Sequence, residues 1–270
     1  MLPFPEIDPI IFSVGPLHVR WYGLMYVIGF IASYTLVQKQ IKEFDFHPLF
    51  RHFENLNMVL ILSVILGGRL GYVVFYNFSY YLKHPLEILA TWNGGMSFHG
   101  ACIALFLGGW LFCKKHAIDF WKTADIYVAT IPIGLCLGRI GNFINGELYG
   151  RVTDSPLGMI FPGGGPVPRH PSQLYEALLE GLLLFLLLWS LRKRPWNKKY
   201  NWPHGSICAL FFIFYGIFRI FVENFREPDH QVGFIYNTLT MGQLLSIGMI
   251  TAGCLMWFLC YKRSHVQKKN

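Results

Sequence analysis

The stretch LNMVLILSVILGGRLGYVVFY, residues 56–76, decides the fold class of this chain. Arg69 is the one charged residue among its 21 residues. A helix needs about 20 predominantly apolar residues to cross the hydrocarbon core of a bilayer, so this stretch predicts a transmembrane helix. With six similar stretches it makes seven predicted spans: Trp21–Val37, Leu56–Tyr76, Ser97–Cys113, Thr123–Ile140, Ser172–Leu191, Gly205–Phe225 and Met241–Tyr261.

The composition agrees with a membrane protein. Of the 270 residues, 53% are hydrophobic and 14% are charged, whereas soluble globular proteins are about 25% charged. We therefore expect an all-α polytopic membrane protein, formed by a single integral membrane domain over residues 1–270. The net charge of +8 then reports topology or lipid contact rather than nucleic-acid binding. The sequence shows no CxxC pair, metal-ligand cluster or nucleotide loop, so we expect neither a metal nor another cofactor.

The distribution of basic residues predicts the orientation. The connections after spans one, three and five and the C-terminal tail hold most of the lysines, whereas Lys83 is the only lysine in the other connections. Cytoplasmic connections are enriched in Lys and Arg, so we expect the N-terminus outside and the C-terminus in the cytoplasm. Residues 1–20, rich in proline, then form an irregular external arm or a segment on the membrane surface. Residues 141–171, broken by proline and glycine, form an external loop region.

Polar side chains of the spans gather at one predicted depth, in the outer part of the membrane. They are Tyr22, Arg69, His99, Arg139, Arg219 and Glu223. An ionisable group in a span costs about 2.5–3.5 kcal/mol on insertion scales. Such groups are therefore expected to be paired with one another or to serve a function.

Span six carries a stripe at helical spacing with a net positive charge: Tyr215, Arg219, Glu223 and Arg226. Arg219 and Glu223 are four residues apart, within reach of an ion pair on one helix face, so a purely structural pair is one interpretation. The excess positive charge favours an anionic ligand as well. Arginine binds phosphate through its planar fork, so Arg139 and Arg219 together predict a site for one phosphate group.

The stretch GRIGNFINGELYG, residues 138–150, places a polar cluster directly after an apolar run. Asn142 lies three residues after Arg139, so both side chains face one way if the helix continues. With Asn145 and Glu147, the stretch predicts one polar wall of a pocket at the outer surface. A simple helix-end cap is the alternative.

Other polar residues have two interpretations each. His99, in GGMSFHG at residues 94–100, is a candidate proton acceptor because histidine accepts a proton near neutral pH, or it is an interfacial hydrogen-bonding residue. Arg69 either helps to hold the phosphate or extends to the interface. For Arg20, Arg151 and Arg169 we expect solvated or lipid-facing side chains.

Six motifs resemble, in this order, those of bacterial phosphatidylglycerol–prolipoprotein diacylglyceryl transferases, over nearly the whole chain. They are RWYGLMY (20–26), GGRLGY (67–72), GGMSFHG (94–100), GRIGNFINGELYGR (138–151), RHPSQLYEALLEG (169–181) and YGIFRIFVENFREPD (215–229). The resemblance implies a multi-pass enzyme of the bacterial cytoplasmic (inner) membrane that transfers diacylglyceryl from phosphatidylglycerol to the lipobox cysteine of a prolipoprotein. A thioether forms and glycerol phosphate leaves, as the first step of lipoprotein maturation. Membrane lipids are further partners, and the active site faces the external side.

The resemblance also implies functional positions: Tyr22, His99, Arg139, Asn142, Gly150, Arg219 and Glu223. When the resemblance is combined with the interpretation of individual residues, the catalytic candidates are His99, Arg219, Glu223 and Tyr22. The candidates for binding phosphatidylglycerol are Arg139, Asn142, Asn145, Glu147, Gly150, Arg69, Tyr215 and Arg226. The family's histidine motif commonly reads His-Gly-Gly, whereas Ala101 follows Gly100 in this chain.

These positions suggest a mechanism. The acceptor thiol belongs to the substrate protein and reacts as a thiolate, so the enzyme needs no cysteine of its own. His99 is the candidate base, or orients the base. Arg139 and Arg219 would stabilise charge on the departing phosphate, and Glu223 would orient Arg219 or assist proton transfer.

Tyr22 and Asn142 would position the lipid headgroup.

Two other function classes are compatible with arginines in spans. A transporter or channel for an anionic solute needs polar groups across the whole bilayer, whereas the predicted inner halves of the spans are nearly uncharged. A non-catalytic lipid-binding protein would bind phospholipid without releasing a product.

Overall fold

Helices form most of the chain in the computed structural model, which describes residues 2–5, 7–15, 17–91, 94–227, 234–235 and 239–267. They are α1 (Trp21–Glu43), α2 (His47–Phe50), α3 (Phe53–Tyr76), α4 (Phe78–Lys83), α5 (Phe98–Lys115), α6 (Phe120–Val128), α7 (Ile131–Ile144), α8 (Ser172–Glu176), α9 (Leu184–Leu191), α10 (Ser206–Val222) and α11 (Met241–Gln267). A π-helical turn, Ala177–Leu183, joins α8 to α9. Short 3-10 turns cover Pro85–Leu89, Arg194–Trp196 and Lys198–Tyr200.

Two small antiparallel hairpins accompany the helices. Strand β1 (Ile10–Val14) pairs with β2 (Leu17–Arg20), and β3 (Phe234–Ile235) pairs with β4 (Leu239–Thr240). In the first hairpin, the hydroxyl of Ser13 and Nδ1 of His18 are 2.8 Å apart. Residues 10–14 and 17–20 of the N-terminal arm are therefore paired strands, and the expectation of an irregular arm is wrong for these residues.

Four helical segments are long and apolar enough to cross a membrane, and some of them join consecutive helical elements: Phe53–Tyr76, Phe120–Ile144, Ser172–Trp196 and Met241–Ser264. A shorter apolar helix covers Ser206–Val222. The remaining two predicted spans fall on α1 and α5. Each of the seven predicted spans thus overlaps at least one helix, and four of them meet the length and hydropathy expected of a membrane crossing within the described residues.

The fourth predicted span differs from the prediction in two details. The helix is interrupted between α6 and α7, just before Pro132, because proline lacks an N–H and its ring disfavours helix on its N-terminal side. Helix α7 then runs to Ile144, past the predicted end at Ile140. Asn142 therefore lies on the helix and not in the predicted external loop.

The chain forms two compact units, one of Met1–Gln40 with Ala124–Asn270 and one of Ile41–Thr123. The core of the first unit is a cluster of fully buried residues: Ala129, Leu184, Leu188 and Ile207. Lipid tails are as apolar as such side chains, so close packing and interhelical polar contacts hold membrane helices together. The second unit is built around the contact between α3 and α5.

A buried carboxylate in the first unit fixes the start of α10. Asp125, on α6, is 1% exposed and accepts hydrogen bonds from the backbone N of Gly205 (2.7 Å) and of Cys208 (3.0 Å). Backbone N–H groups at a helix start have no partner inside the helix, and a negative charge is favourable there. Asp125 thereby positions α10, which carries Arg219 near its other end.

Glycines allow α3 and α5 to approach closely in the second unit. A Cβ at Gly100 would collide with the carbonyl oxygen of Gly67 and would lie 2.8 Å from Cα of Gly71. Small residues are typical of such crossings because they let two backbones meet. Ser97 caps α5 by accepting a hydrogen bond from the N of Gly100 (3.2 Å), and this places His99 in the first turn of α5.

We expect Gly100→Ala to destabilise the protein by about 1–3 kcal/mol, since the added methyl group overpacks this crossing. The measurement is the thermal unfolding midpoint of the purified protein in detergent. Gly248→Ala on α11 is the control, because a Cβ there meets no atom within 4 Å. Equal midpoints for Gly100→Ala and Gly248→Ala would contradict this description of the crossing.

Candidate active site

Three arginines of the first unit meet one buried carboxylate. Nε of Arg139 lies 2.7 Å from Oε2 of Glu176, and Nη1 of Arg219 lies 2.9 Å from the same oxygen. Nη1 of Arg226 is 3.5 Å from it. Glu176 is fully buried, whereas the three arginine side chains keep 23%, 13% and 15% of their exposure. A buried anion thus anchors guanidinium groups that remain partly accessible.

A glycine contact brings α7 next to Glu176. A Cβ at Gly181 would lie 2.6 Å from Cα of Cys136, so the absence of a side chain lets the two helices approach. Arg139 follows Cys136 by about one turn, and Gly181 lies in the π-helical turn that follows Glu176. Such turns are frequent at functional sites. The contact therefore brings Arg139 within ion-pair distance of Glu176.

Two further carboxylates flank Arg219. Oε1 of Glu180 is 3.4 Å from its Nη1, and Oε2 of Glu223 is 3.1 Å from its Nη2. The ion pair between Arg219 and Glu223 that the spacing predicts is therefore present. Glu180 and Glu223 are 2% and 5% exposed. Buried charges need partners of opposite sign. The cluster has three arginines and three glutamates, so its formal charges balance: Arg139, Arg219, Arg226, Glu176, Glu180 and Glu223.

Helix α7 ends in a turn that brings Glu147 back to the helix. Gly146 has φ +65°, a conformation that glycine adopts readily. Its N donates to the O of Phe143 (2.9 Å), and the N of Glu147 donates to the O of Asn142 (3.1 Å), which is a Schellman motif. The carboxylate of Glu147 then accepts from Nδ2 of Asn142 (2.9 Å) and of Asn145 (3.1 Å).

Asn142 connects this turn to the arginines. Nη1 of Arg139 donates to Oδ1 of Asn142 at 3.5 Å, so both side chains face one way, as predicted. The ring of Tyr22, in the first turn of α1, packs on Gly141, where a Cβ would lie 2.9 Å from its Cδ2. The hydroxyl of Tyr22 is 3.0 Å from that of Tyr26. The end of α7 thus brings Arg139, Asn142 and Glu147 together next to Tyr22 of α1, and the pocket wall stays a prediction.

Gly150 supplies space and backbone contacts instead of a side chain. A Cβ there would collide with the carbonyl oxygen of Phe225 and would lie 2.9 Å from Cβ of His170. The N of Gly150 donates to the O of His170 (2.8 Å), and Gly150 forms a β-bridge with Arg226. Burial lowers the pKa of His170, which favours its neutral form. Gly150 therefore holds the loop against the segment that carries Arg226.

Arg151 and Arg169 have partners within the protein, so the expectation of solvated or lipid-facing side chains is wrong for both. Nε of Arg151 donates to the O of Arg226 (2.8 Å), and its Nη2 donates to the O of Glu223 (3.2 Å). Nη1 of Arg169 lies 2.9 Å from Oε2 of Glu227. Both arginines satisfy acceptors of the segment that follows α10.

Comparison with known proteins agrees with the resemblance of the motifs. The family described as prolipoprotein diacylglyceryl transferase matches residues 9–259. The chain belongs to this family. A relative from Desulfotalea psychrophila is 68% identical over 265 residues, covering 98% of this chain and 96% of the relative. Relatives from Geobacter sulfurreducens and Rickettsia felis are 50% and 49% identical, covering 97% and 93% of this chain and 98% and 96% of the relatives. All three are named phosphatidylglycerol–prolipoprotein diacylglyceryl transferase.

In this family member, ten of the twelve predicted site residues belong to the first unit. Tyr215 differs from the other nine in its surroundings. It lies one turn before Arg219 on α10, its ring stacks on Phe211 with 5.7 Å between centroids, and it packs against the buried core cluster. Arg69 and His99 belong to the second unit.

Arg69 is 4% exposed and binds the loop that follows α4. Its Nε donates to the O of Ile88 (2.8 Å), its Nη2 to the O of Glu87 (2.7 Å) and its Nη1 to the carbonyls of Gly94 (2.6 Å) and Gly95 (3.2 Å). The guanidinium of Arg69 is thus bound by backbone carbonyls of this loop, and whether it extends to the membrane interface stays a prediction. These contacts give it a structural role, and its predicted contact with phosphate stays a prediction.

His99 is exposed in the first turn of α5. Its ring lies edge-on to that of Phe98, with 5.9 Å between centroids. Ser97, two residues earlier, caps the helix and fixes the backbone from which the imidazole projects. The role of His99 as a base stays a prediction.

The sequence interpretation missed Glu176 and Glu180. Both lie in the motif RHPSQLYEALLEG, inside a predicted span, and are four residues apart. The cost of ionisable groups in a span, which singled out the arginines, applies equally to these carboxylates. Residues four apart share a helix face, so the signal for a paired acidic site was present in the sequence.

Proposed function

We propose that this chain transfers the diacylglyceryl group of phosphatidylglycerol to the cysteine thiol of a prolipoprotein lipobox. The bond between the diacylglyceryl carbon and the phosphate ester oxygen breaks, and a carbon–sulfur bond forms. Glycerol phosphate leaves with the electron pair of the broken bond, and the thiol proton passes to a base. The names of the relatives support this reaction.

The convergence of Arg139, Arg219 and Arg226 on Glu176 is the observation that carries the proposal. A phosphodiester is an anion with two free oxygens, and arginine forks bind such oxygens through paired, charge-assisted hydrogen bonds. The same forks stabilise the charge that develops on the phosphate as it leaves, most strongly where water is excluded. The proposed site thus binds the lipid headgroup and activates it as a leaving group.

The neighbouring side chains have supporting roles in this proposal. Tyr22 and Asn142 position the glycerol headgroup beside Arg139. Asn145 and Glu147 shape the same wall, and Gly150 leaves room for the backbone around it. Glu223 orients Arg219 or assists proton transfer.

His99 is the proposed base, or the residue that orients the base. We expect His99→Ala to lower the transfer rate at every pH, because the group that accepts the thiol proton is lost. The measurement is the initial rate of transfer across the pH range in which the protein stays folded. His116→Ala, at the other end of α5, is the control. Unchanged rates for His99→Ala at every pH would exclude His99 as the base.

The proposed topology has seven spans within a single integral membrane domain of residues 1–270. The N-terminus lies outside and the C-terminus lies in the cytoplasm. The protein is then a multi-pass protein of the bacterial cytoplasmic (inner) membrane, with its active site towards the external side. The clustering of lysines in alternate connections supports this orientation.

The test is a transfer assay with the purified protein in vesicles that contain phosphatidylglycerol. One lipobox peptide carries cysteine, and a matched peptide carries serine. We expect equal amounts of glycerol phosphate and lipidated peptide with cysteine and neither product with serine. Phosphatidylglycerol binding without release would favour a lipid-binding protein, and movement of an anion across the vesicle wall would favour a transporter.

A further inference from the structure

The start of α11 contacts the carboxylate of Glu223. The hydroxyl of Thr240, the residue just before α11, donates to Oε1 of Glu223 at 3.0 Å. Thr240 is 2% exposed and Glu223 is 5% exposed. The contact is therefore shielded from water, where a hydrogen bond to a charged group is strong.

The local sequence fixes the direction of this hydroxyl. Thr240 and Gln243 form a capping box, in which Oγ1 of Thr240 accepts from the N of Gln243 (3.2 Å) and Oε1 of Gln243 accepts from the N of Thr240 (3.1 Å). Such boxes satisfy the free N–H groups at a helix start. Because Oγ1 already accepts from Gln243, the hydroxyl hydrogen remains for Glu223.

Gly242 leaves the space that the carboxylate fills. A Cβ at Gly242 would lie 2.6 Å from both Cδ and Oε1 of Glu223, and 2.8 Å from its Oε2. Both carboxylate oxygens thus lie against the backbone of the first turn of α11. A negatively charged side chain makes a favourable electrostatic contact at a helix start, and the carboxylate of Glu223 lies at such a position.

We propose that Thr240 and Gly242 are positioning residues, which hold Glu223 so that it orients Arg219 towards the substrate phosphate. Oε1 of Glu223 accepts from Thr240, and Oε2 lies 3.1 Å from Nη2 of Arg219. One carboxylate therefore links the start of α11 to the arginine fork. This inference rests on the proposed function of the arginine site.

The contact with Glu223 fixes Nη2 of Arg219, whereas other carboxylates fix its Nη1. Nη1 is held by Glu176 and Glu180, whereas Nη2 has its ion pair with Glu223. If the hydrogen bond from Thr240 to Glu223 is removed, the carboxylate of Glu223 is free to rotate. The guanidinium plane of Arg219 is then no longer held at Nη2. A planar fork that turns away from a phosphate loses paired geometry while it keeps its charge.

The experiment compares four variants in the vesicle transfer assay with the cysteine peptide. Thr240→Val removes the hydroxyl, Thr240→Ser keeps it, and Gly242→Ala adds the methyl group that meets Glu223. Gln243→Met is the control, because it removes one bond of the capping box and leaves the contact between Thr240 and Glu223.

We expect Thr240→Val and Gly242→Ala to lower kcat by about tenfold or more, with a smaller change in KM for the peptide, because transition-state contacts act on kcat. Thr240→Ser should recover most of the rate, and Gln243→Met should stay within about twofold of the unaltered protein although it weakens the cap. Wild-type kinetics for Thr240→Val, no recovery with Thr240→Ser, or an equal loss with Gln243→Met would overturn the inference.

A second measurement does not depend on transfer. Thermal midpoints of Thr240→Val, Glu223→Gln and the double variant in detergent form a double-mutant cycle, which isolates the coupling of the two side chains. We expect the double variant to be less destabilised than the two single shifts together. Additive shifts would overturn the inference even if the unaltered protein catalyses transfer. Coupled shifts without any transfer by the unaltered protein would overturn the proposed function, and would leave only the contact between Thr240 and Glu223.

Discussion

In Arg219→Lys, we expect diacylglyceryl transfer to fall by about 100-fold or more, since loss of one preorganised donor to a developing negative charge costs that much in other enzymes. A lysine keeps the positive charge but is a point charge without a planar fork. It cannot reproduce the contacts that Arg219 makes with Glu176, Glu180 and Glu223. The measurement is the initial transfer rate per folded protein, below the thermal midpoint of the variant.

Arg194→Lys is the matched control for this substitution. Arg194 lies over the rings of Tyr200 and Trp202, at 4.8 and 5.0 Å from their centroids, and has no role in the proposed site. We expect this variant to keep its activity. Transfer at the unaltered rate in Arg219→Lys would contradict the role of the arginine fork.

In Glu176→Gln, we expect the thermal midpoint to fall by about 5–15 °C in a neutral detergent, because removing one partner of a buried ion pair costs about 3–5 kcal/mol. The amide keeps the shape of the side chain but not its charge. The site then holds three formal positive charges and two negative ones. A bound phosphodiester restores the balance, so phosphatidylglycerol should raise the midpoint of Glu176→Gln more than that of the unaltered protein.

Glu227→Gln is the matched control for the acidic substitution. Glu227 pairs with Arg169 at 2.9 Å, but the two side chains keep 34% and 18% of their exposure. A partly exposed ion pair is worth less than a fully buried one, so its midpoint should fall clearly less than that of Glu176→Gln. Equal shifts in the two variants, or no extra stabilisation of Glu176→Gln by phosphatidylglycerol, would contradict the proposed place of the lipid phosphate.

The lengths of the apolar runs in the sequence predicted the positions of the helices well. They predicted less well where a helix ends among polar residues. The fifth predicted span, Ser172–Leu191, has the bounds of the helix formed by α8, the π-helical turn and α9. The predicted end at Ile140 was too early because the apolar run stops there, while the helix continues to Ile144. Backbone hydrogen bonds and the turn at Gly146 decide that end, and hydropathy does not report them.

The pairing of charges was only partly predictable. The spacing of Arg219 and Glu223 lies within one helix, so the sequence predicts their contact directly. The contacts of Glu176 with three arginines join separate segments, and only tertiary structure determines which acid meets which base. The same holds for the contact of Thr240 with Glu223, which joins the start of α11 to the end of α10.

Arg69 shows a different limit of sequence interpretation. An arginine in an apolar span has several low-energy solutions: an anionic ligand, a path to the interface, or the carbonyls of a nearby loop. The structure has the third, with bonds to carbonyls of Glu87, Ile88, Gly94 and Gly95. Gly94 and Gly95 both have φ +79°, and this turn presents their carbonyls to the guanidinium.

The most direct test locates the lipid phosphate on the protein. A phosphatidylglycerol analogue with a photoreactive diazirine in its glycerol headgroup is cross-linked to the protein in vesicles, and the labelled peptides are identified by mass spectrometry. We predict labels within residues 131–151 and 206–227, the segments of Arg139 and of Arg219 with Arg226, and their loss when unlabelled phosphatidylglycerol is in excess. Labels confined to other segments, and displaced by the same lipid, would contradict the arginine site.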